Sequence, residues 1–288
     1  MTAIDYEKEY DNRTRVPEHP QIFSAWTRDA AAYREQALAQ KRAELGLRYG
    51  EGARQTVDLF FAQPAVVDAP LAVFVHGGWW RSFEPASFSH LAAGLNAHGV
   101  NVAVAGYDLC PQVTIARITD EIRQACIFLW TRFRRHLLCY GHSAGGHLTG
   151  AMLATDWTAC GGNVPAQLVP AGLSISGLFD LLPLINVSLN QDLRLDAEEA
   201  RRLSPAFWHA PTGVVLDALV GALESSEFLR QSRLIADVWG KAGVSTRYEA
   251  VAGANHFTVL APLTDPTSSM VRRLASLARR VNQPSEAP

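Results

Sequence analysis

A serine with a glycine two residues away on either side, Gly141-His142-Ser143-Ala144-Gly145, is the stretch of this chain best suited to do chemistry. It follows an apolar run, His136 to Tyr140, and precedes a helix-like segment, Gly146–Thr155. Between a strand and a helix, G-x-S-x-G makes a tight, strained turn that leaves the serine hydroxyl exposed above the sheet. A second motif precedes it. The apolar strand Leu71–Val75 ends in His76-Gly77-Gly78-Trp79, a loop type that offers backbone amides to a developing oxyanion. The expected donors are the amides of Gly77 or Gly78 and of Ala144, just after the nucleophile. Trp79, Trp80, Phe207 and Trp208 are candidate walls of an aromatic substrate pocket, and Phe83 is a further one.

A serine near neutral pH needs a base within hydrogen-bond reach. Of nine histidines only His147, His209 and His256 follow the serine, and motifs of this kind run serine, acid, histidine. His147 falls inside the following helix, and His209 sits beside Trp208 in an insertion. His256 follows a strand through Ala252-Gly253-Ala254-Asn255, a loop suited to hold an imidazole, and is the expected base. The acid should lie beyond an earlier strand. Spacing favours Glu224, beyond the strand ending at Val220, with Asp217 and Asp180 as the alternatives.

Such residues need a scaffold. Strand-like segments are expected at 55–62, 71–76, 100–107, 136–142, 172–176, 213–220 and 246–251. Helix-like ones are expected at 87–98, 119–133, 146–155, 227–242 and 268–281. That alternation predicts one α/β domain over 1–288: a mostly parallel central sheet with helices on both faces. Residues 1–50 read as a helical N-terminal extension, centred on Ser24–Leu45, and 181–211 as a small cap-like insertion. The tail Asn282–Pro288 is expected to fray.

With 288 residues, 48% of them apolar and 19% charged, the composition is that of an ordinary globular protein. A net charge of −2 without a basic block argues against nucleic acid or an anionic membrane as a partner. The polar, acidic start predicts no signal peptide, and no apolar run nears the ~20 residues of a membrane span. Cys110, Cys126, Cys139 and Cys160 show neither C-x-x-C nor metal-like spacing, which fits free thiols in a cytoplasmic protein. No metal and no cofactor are expected. The expected partner is a small, aromatic substrate, and a homodimer is left open.

The residues resemble α/β-hydrolases of the kynurenine formamidase (arylformamidase) type. The matching pieces run in order through 76–80 (HGGWW), 107–111 (YDLCP), 141–147 (GHSAGGH), 176–181 (SGLFDL), 203–205 (LSP), 224–228 (ESSEF) and 255–257 (NHF). The resemblance implies the α/β-hydrolase fold and places the acid at Glu224, with glutamate where aspartate is commoner. It also implies cleavage of the formamide of N-formylkynurenine to kynurenine and formate without a cofactor. A general carboxylesterase or thioesterase acting on short acyl groups is the alternative. A non-catalytic ligand receptor on a hydrolase scaffold comes third. A metal-dependent amidase has no H-x-x-x-H, H-E-x-x-H or Cys/His cluster to support it.

Overall fold

Leu71-Ala72-Val73-Phe74-Val75 is buried along its whole length, so the strand it forms must be covered on both faces. The computed structural model describes residues 4–161 and 163–281; the tail 282–288, expected to fray, lies outside them. The chain enters through two short helices, α1 (Tyr6–Tyr10) and α2 (Asn12–Arg15), and a long one, α3 (His19–Ala39). Strands β1 (Ala43–Arg48), β2 (Thr56–Phe60) and β3 (Leu71–Val75) follow. Next come α4 (Ala93–Ala97), β4 (Asn101–Ala105), α5 (Ile115–Phe133), β5 (Leu137–His142), α6 (Ala144–Leu153) and β6 (Ala171–Ile175). The insertion holds α7 (Asn190–Leu193) and α8 (Ala197–Arg202). The chain then runs through β7 (Val215–Gly221), α9 (Ser226–Lys241), β8 (Ser245–Val251) and α10 (Ser269–Arg280).

The strands form one 8-stranded sheet in the order β1-β2-β4-β3-β5-β6-β7-β8. Every pairing from β4 across to β8 is parallel, whereas β2 runs antiparallel to β4 and β1 antiparallel to β2. Side chains alternate across the pleat. Leu71, Val73 and Val75 enter a core shared with α5, α6 and α9, while Ala72 and Phe74 enter a second core shared with α4 and α10. The architecture is therefore the expected mostly parallel sheet with helices on both faces. Among the described residues no helix is long and apolar enough to cross a membrane.

One element corrects the sequence reading. Residues 43–48, placed at the end of a helical extension, form the edge strand β1. Its Ala, Glu and Leu content suits a helix, but pairing with β2 overrides propensity. The register shifts between Glu44 and Leu47, and Asp58 Oδ1 accepts the Gly46 N–H there at 2.7 Å. Gly46 takes φ 68°, which a bulge of this kind requires.

Five residues stand just past the carboxyl ends of parallel strands: His76 after β3, Ser143 after β5, Ser176 after β6, Glu224 after β7 and His256 after β8. Ligands of such sheets bind at that edge.

Candidate active site

Ser143 has φ 55° and ψ −117°, a backbone state that costs about 1–3 kcal/mol and persists only where the surroundings impose it. Its N–H donates to the Ile175 carbonyl at 2.8 Å, and its carbonyl accepts from Gly146 N at 2.9 Å. A Cβ on Gly145 would stand 1.9 Å from the Val75 carbonyl oxygen, and one on Gly141 2.3 Å from the Gly145 carbonyl oxygen. Both positions therefore exclude a side chain. Ala144 opens α6, so its N–H has no acceptor within the helix.

The 76–80 loop presses against this turn. A Cβ on Gly77 would meet the His142 carbonyl oxygen at 2.9 Å, His142 Nδ1 at 3.0 Å and Ser143 Cβ at 3.1 Å. His76 is fully buried, stacks on Tyr107 with ring centroids 4.3 Å apart, and joins its Nδ1 to the Gly77 carbonyl at 2.7 Å. Burial lowers its pKa to about 4, so the ring is neutral and Nδ1 carries the proton. The Tyr107 hydroxyl donates to the His76 carbonyl at 2.9 Å. Gly78, Trp79 and Trp80 follow with φ 108°, 56° and 54°. The loop's shape is thus fixed from beneath before any ligand arrives.

Glu224 and His256 form the third part. His256 Nδ1 lies 2.6 Å from Glu224 Oε2, and the carboxylate is fully buried. Its other oxygen, Oε1, accepts from Ser176 Oγ at 2.5 Å and from Gly221 N at 2.7 Å. A carboxylate only accepts, so Nδ1 carries the proton and Nε2 keeps its lone pair. The rings of Phe228 and His142 hold the imidazole at 4.5 and 4.7 Å. Asn255 Oδ1 accepts from Phe257 N and Thr258 N at 3.0 and 2.9 Å, which fixes the loop that carries it.

Ser143, His256, Gly77, Gly78 and Trp79 line one cavity of about 260 Å³. Among the described residues the Ser143 hydroxyl makes no hydrogen bond, to His256 or elsewhere. Bonds of this type commonly close only around substrate.

No protein-family model matches the chain. Kynurenine formamidase of Drosophila melanogaster is 31% identical over 243 residues, covering 80% of each chain. The Danio rerio kynurenine formamidase is 26% identical over 250 residues, covering 84% of each. A solved structure from Silicibacter sp., named as a candidate thioesterase, is 34% identical with a TM-score of 0.84, covering 94% of this chain and 98% of that one. The chain belongs to the formamidase/esterase family of α/β-hydrolases.

Within that family fold the other sequence candidates separate cleanly. Asp217 is held by Arg273 at 2.6 and 3.0 Å, and Asp180 accepts from Leu182 N at 3.2 Å and pairs with Arg230 at 3.3 Å. Neither meets His256. His147 is buried against the Leu203 carbonyl at 2.8 Å, and His209 is exposed.

Three of the four aromatic candidates are corrected. Only Trp79 lines the cavity. Trp80 is fully buried, edge-on to His147 at 5.2 Å. Phe207 is 48% exposed, and Trp208 lines a separate hollow beside Thr119 and Arg123. The reason is local: Ala206 N donates to the Phe179 carbonyl at 2.9 Å and Trp239 Nε1 to the Pro205 carbonyl at 3.1 Å. Those bonds tie this stretch to the loop after β6 and to α9 instead of the cavity. Phe83 packs among Phe23, Trp26 and Phe88.

The walls come instead from Tyr10, Trp26, Phe88 and Phe257, and the insertion adds only Val187, Ser188 and Leu189. Residues 7–13 cross the cleft as a strap. Glu9 accepts from Ser226 Oγ at 2.7 Å and Glu227 N at 3.0 Å, and Glu7 accepts from Ser188 N and Oγ at 2.6 and 2.5 Å. The Tyr10 hydroxyl donates to Glu227 at 2.8 Å and accepts from Gln231 at 3.0 Å, its ring 5.9 Å from Trp79. No local pattern in the first fifteen residues announces this role.

Proposed function

We propose that this hydrolase cleaves a small aryl formamide, such as N-formylkynurenine, to the aryl amine and formate through Ser143, His256 and Glu224. The observation that carries the reading is the 2.6 Å contact of Glu224 with His256 Nδ1 beside a strained serine in the same cavity. His256 Nε2 takes the Ser143 proton as Oγ attacks the formyl carbon. The amides of Ala144 and Gly77 or Gly78 hold the oxyanion, each such donor contributing ~3–4 kcal/mol to the transition state. Protonated His256 then passes its proton to the leaving nitrogen, and water releases formate by the same route. The formyl group needs almost no room, while Tyr10, Trp79 and Phe257 offer an aromatic wall to the amine.

A short-chain esterase or thioesterase is the second reading, favoured by the 34% identical Silicibacter relative. Assaying N-formylkynurenine beside p-nitrophenyl esters of increasing acyl length separates the two. Highest kcat/KM on the formamide, with ester rates falling beyond acetyl, is the expected outcome. Activity confined to esters and rising with acyl length would replace the first reading by the second.

Ser176 enters this reading as a positioning residue that the sequence did not single out. Ser176→Ala removes a bond to a buried carboxylate, a class worth about 1.5–3 kcal/mol. A 10- to 100-fold lower kcat at unchanged KM is expected. An unaltered kcat would leave Ser176 without a part in orienting Glu224.

A further inference from the structure

His142, the residue before the serine, has one ring nitrogen committed and one open. Its Nε2 lies 2.8 Å from the His256 carbonyl oxygen. A carbonyl only accepts, so Nε2 carries the proton and Nδ1 presents a lone pair. That lone pair sits beside Gly77, 3.0 Å from where a side chain on the glycine would begin. The ring is 4% exposed and lines the same cavity as Ser143 and His256. Among the described residues no donor bonds Nδ1. Burial first, and the neighbouring His256 second, push its pKa well below the usual histidine value, so the ring stays neutral through the working pH range.

We propose that His142 is a specificity-determining residue whose Nδ1 accepts a hydrogen bond from the N–H of the scissile amide, favouring amide over ester substrates. The inference rests on the proposed roles of Ser143 and His256. The other groups assigned to the reacting centre are donors or are occupied: the backbone amides face the oxyanion, and His256 Nε2 handles the transferred proton. When the serine adds, the amide nitrogen becomes pyramidal. Its lone pair turns to protonated His256, and its N–H must point to another part of the wall. A nitrogen acceptor there satisfies it. An ester oxygen has no hydrogen to offer and meets lone pair with lone pair, so discrimination follows from leaving a buried polar group unpaired.

The test uses formanilide, N-methylformanilide and phenyl formate, which share one acyl group, with thermal melting as the check on folding. In the unaltered enzyme formanilide should exceed N-methylformanilide in kcat/KM by at least tenfold. His142→Ala should lower kcat/KM for formanilide at least tenfold more than for phenyl formate and erase the preference over N-methylformanilide. His142→Gln, which carries both a donor and an acceptor, should restore part of the formanilide rate. Equal losses on formanilide and phenyl formate would reduce His142 to a prop for the His256 loop and overturn the proposal. So would an unaltered enzyme indifferent to N-methylation, a result that needs no variant to fold. An unaltered enzyme that cleaves phenyl formate but no anilide would overturn the formamidase reading as well, which distinguishes the two failures.

Discussion

Ser143→Ala is expected to lower kcat by about 10⁴- to 10⁶-fold, the range seen when a nucleophilic serine is removed from a working triad. The residual rate would come from the oxyanion donors and binding alone. The fold should not notice the change. The hydroxyl makes no hydrogen bond among the described residues, and alanine keeps the Cβ that already tolerates φ 55° under the grip of Ile175 and Gly146. The strain stored in the turn is thus the same in both proteins, and their melting temperatures should coincide. Labelling with a fluorophosphonate gives an independent reading, since the adduct mass should appear on the native chain and be absent from the variant. Retained turnover in Ser143→Ala would remove the nucleophile from the proposed mechanism. Retained turnover together with lost labelling would mean that labelling had reported a reactive but uninvolved serine.

The parts of this site that the sequence revealed are those whose constraint is local. The serine turn needs small residues at 141 and 145 because backbone atoms approach to within 1.9–2.3 Å of where side chains would begin, and that need is written in adjacent letters. Spacing favoured Glu224 and left Asp217 and Asp180 as alternatives. What distinguishes Glu224 from Asp217 is register: Asp217 pairs mid-strand with Leu173 and Arg247, whereas Glu224 lies beyond the strand end, beside the loop of β8. Apart from Trp79, the cavity walls were illegible for the opposite reason. Tyr10, Trp79 and Phe257 are brought together by a strap whose anchors, Glu7 to Ser188 and Tyr10 to Glu227, span most of the chain. No periodicity records such contacts. Phe207 and Trp208 misled because aromatic residues in an insertion look the same whether they face a cleft or a helix pair. β1 was missed because an edge strand of helix-forming residues gains its stability from a partner that local propensity does not see.

The same register argument yields the second large effect, a contrast between two carboxylates on one strand and the loop that follows it. Glu224→Gln should lower kcat by about 10³- to 10⁴-fold, as the loss of a triad carboxylate does elsewhere. The glutamine oxygen would satisfy Gly221 N–H and Ser176, as Oε1 does now, which leaves the NH₂ facing His256. A donor at that position forces the imidazole to accept at Nδ1 and carry its proton on Nε2, where it cannot take the serine's. Folding should suffer little, because shape and bonds to the backbone survive. Asp217→Asn should do the reverse. It breaks a paired charge whose carboxylate is 1% exposed and whose Arg273 partner is 34% exposed. Breaking a fully buried pair costs about 3–5 kcal/mol, and the partial exposure of the arginine reduces this to roughly 2–3 kcal/mol. Denaturant unfolding should therefore register a lower midpoint for Asp217→Asn with kcat per folded molecule near that of the parent, and a nearly unchanged midpoint for Glu224→Gln with turnover almost gone. Inverted results, a stable but inactive Asp217→Asn beside an active Glu224→Gln, would move the acid from the end of β7 to its middle.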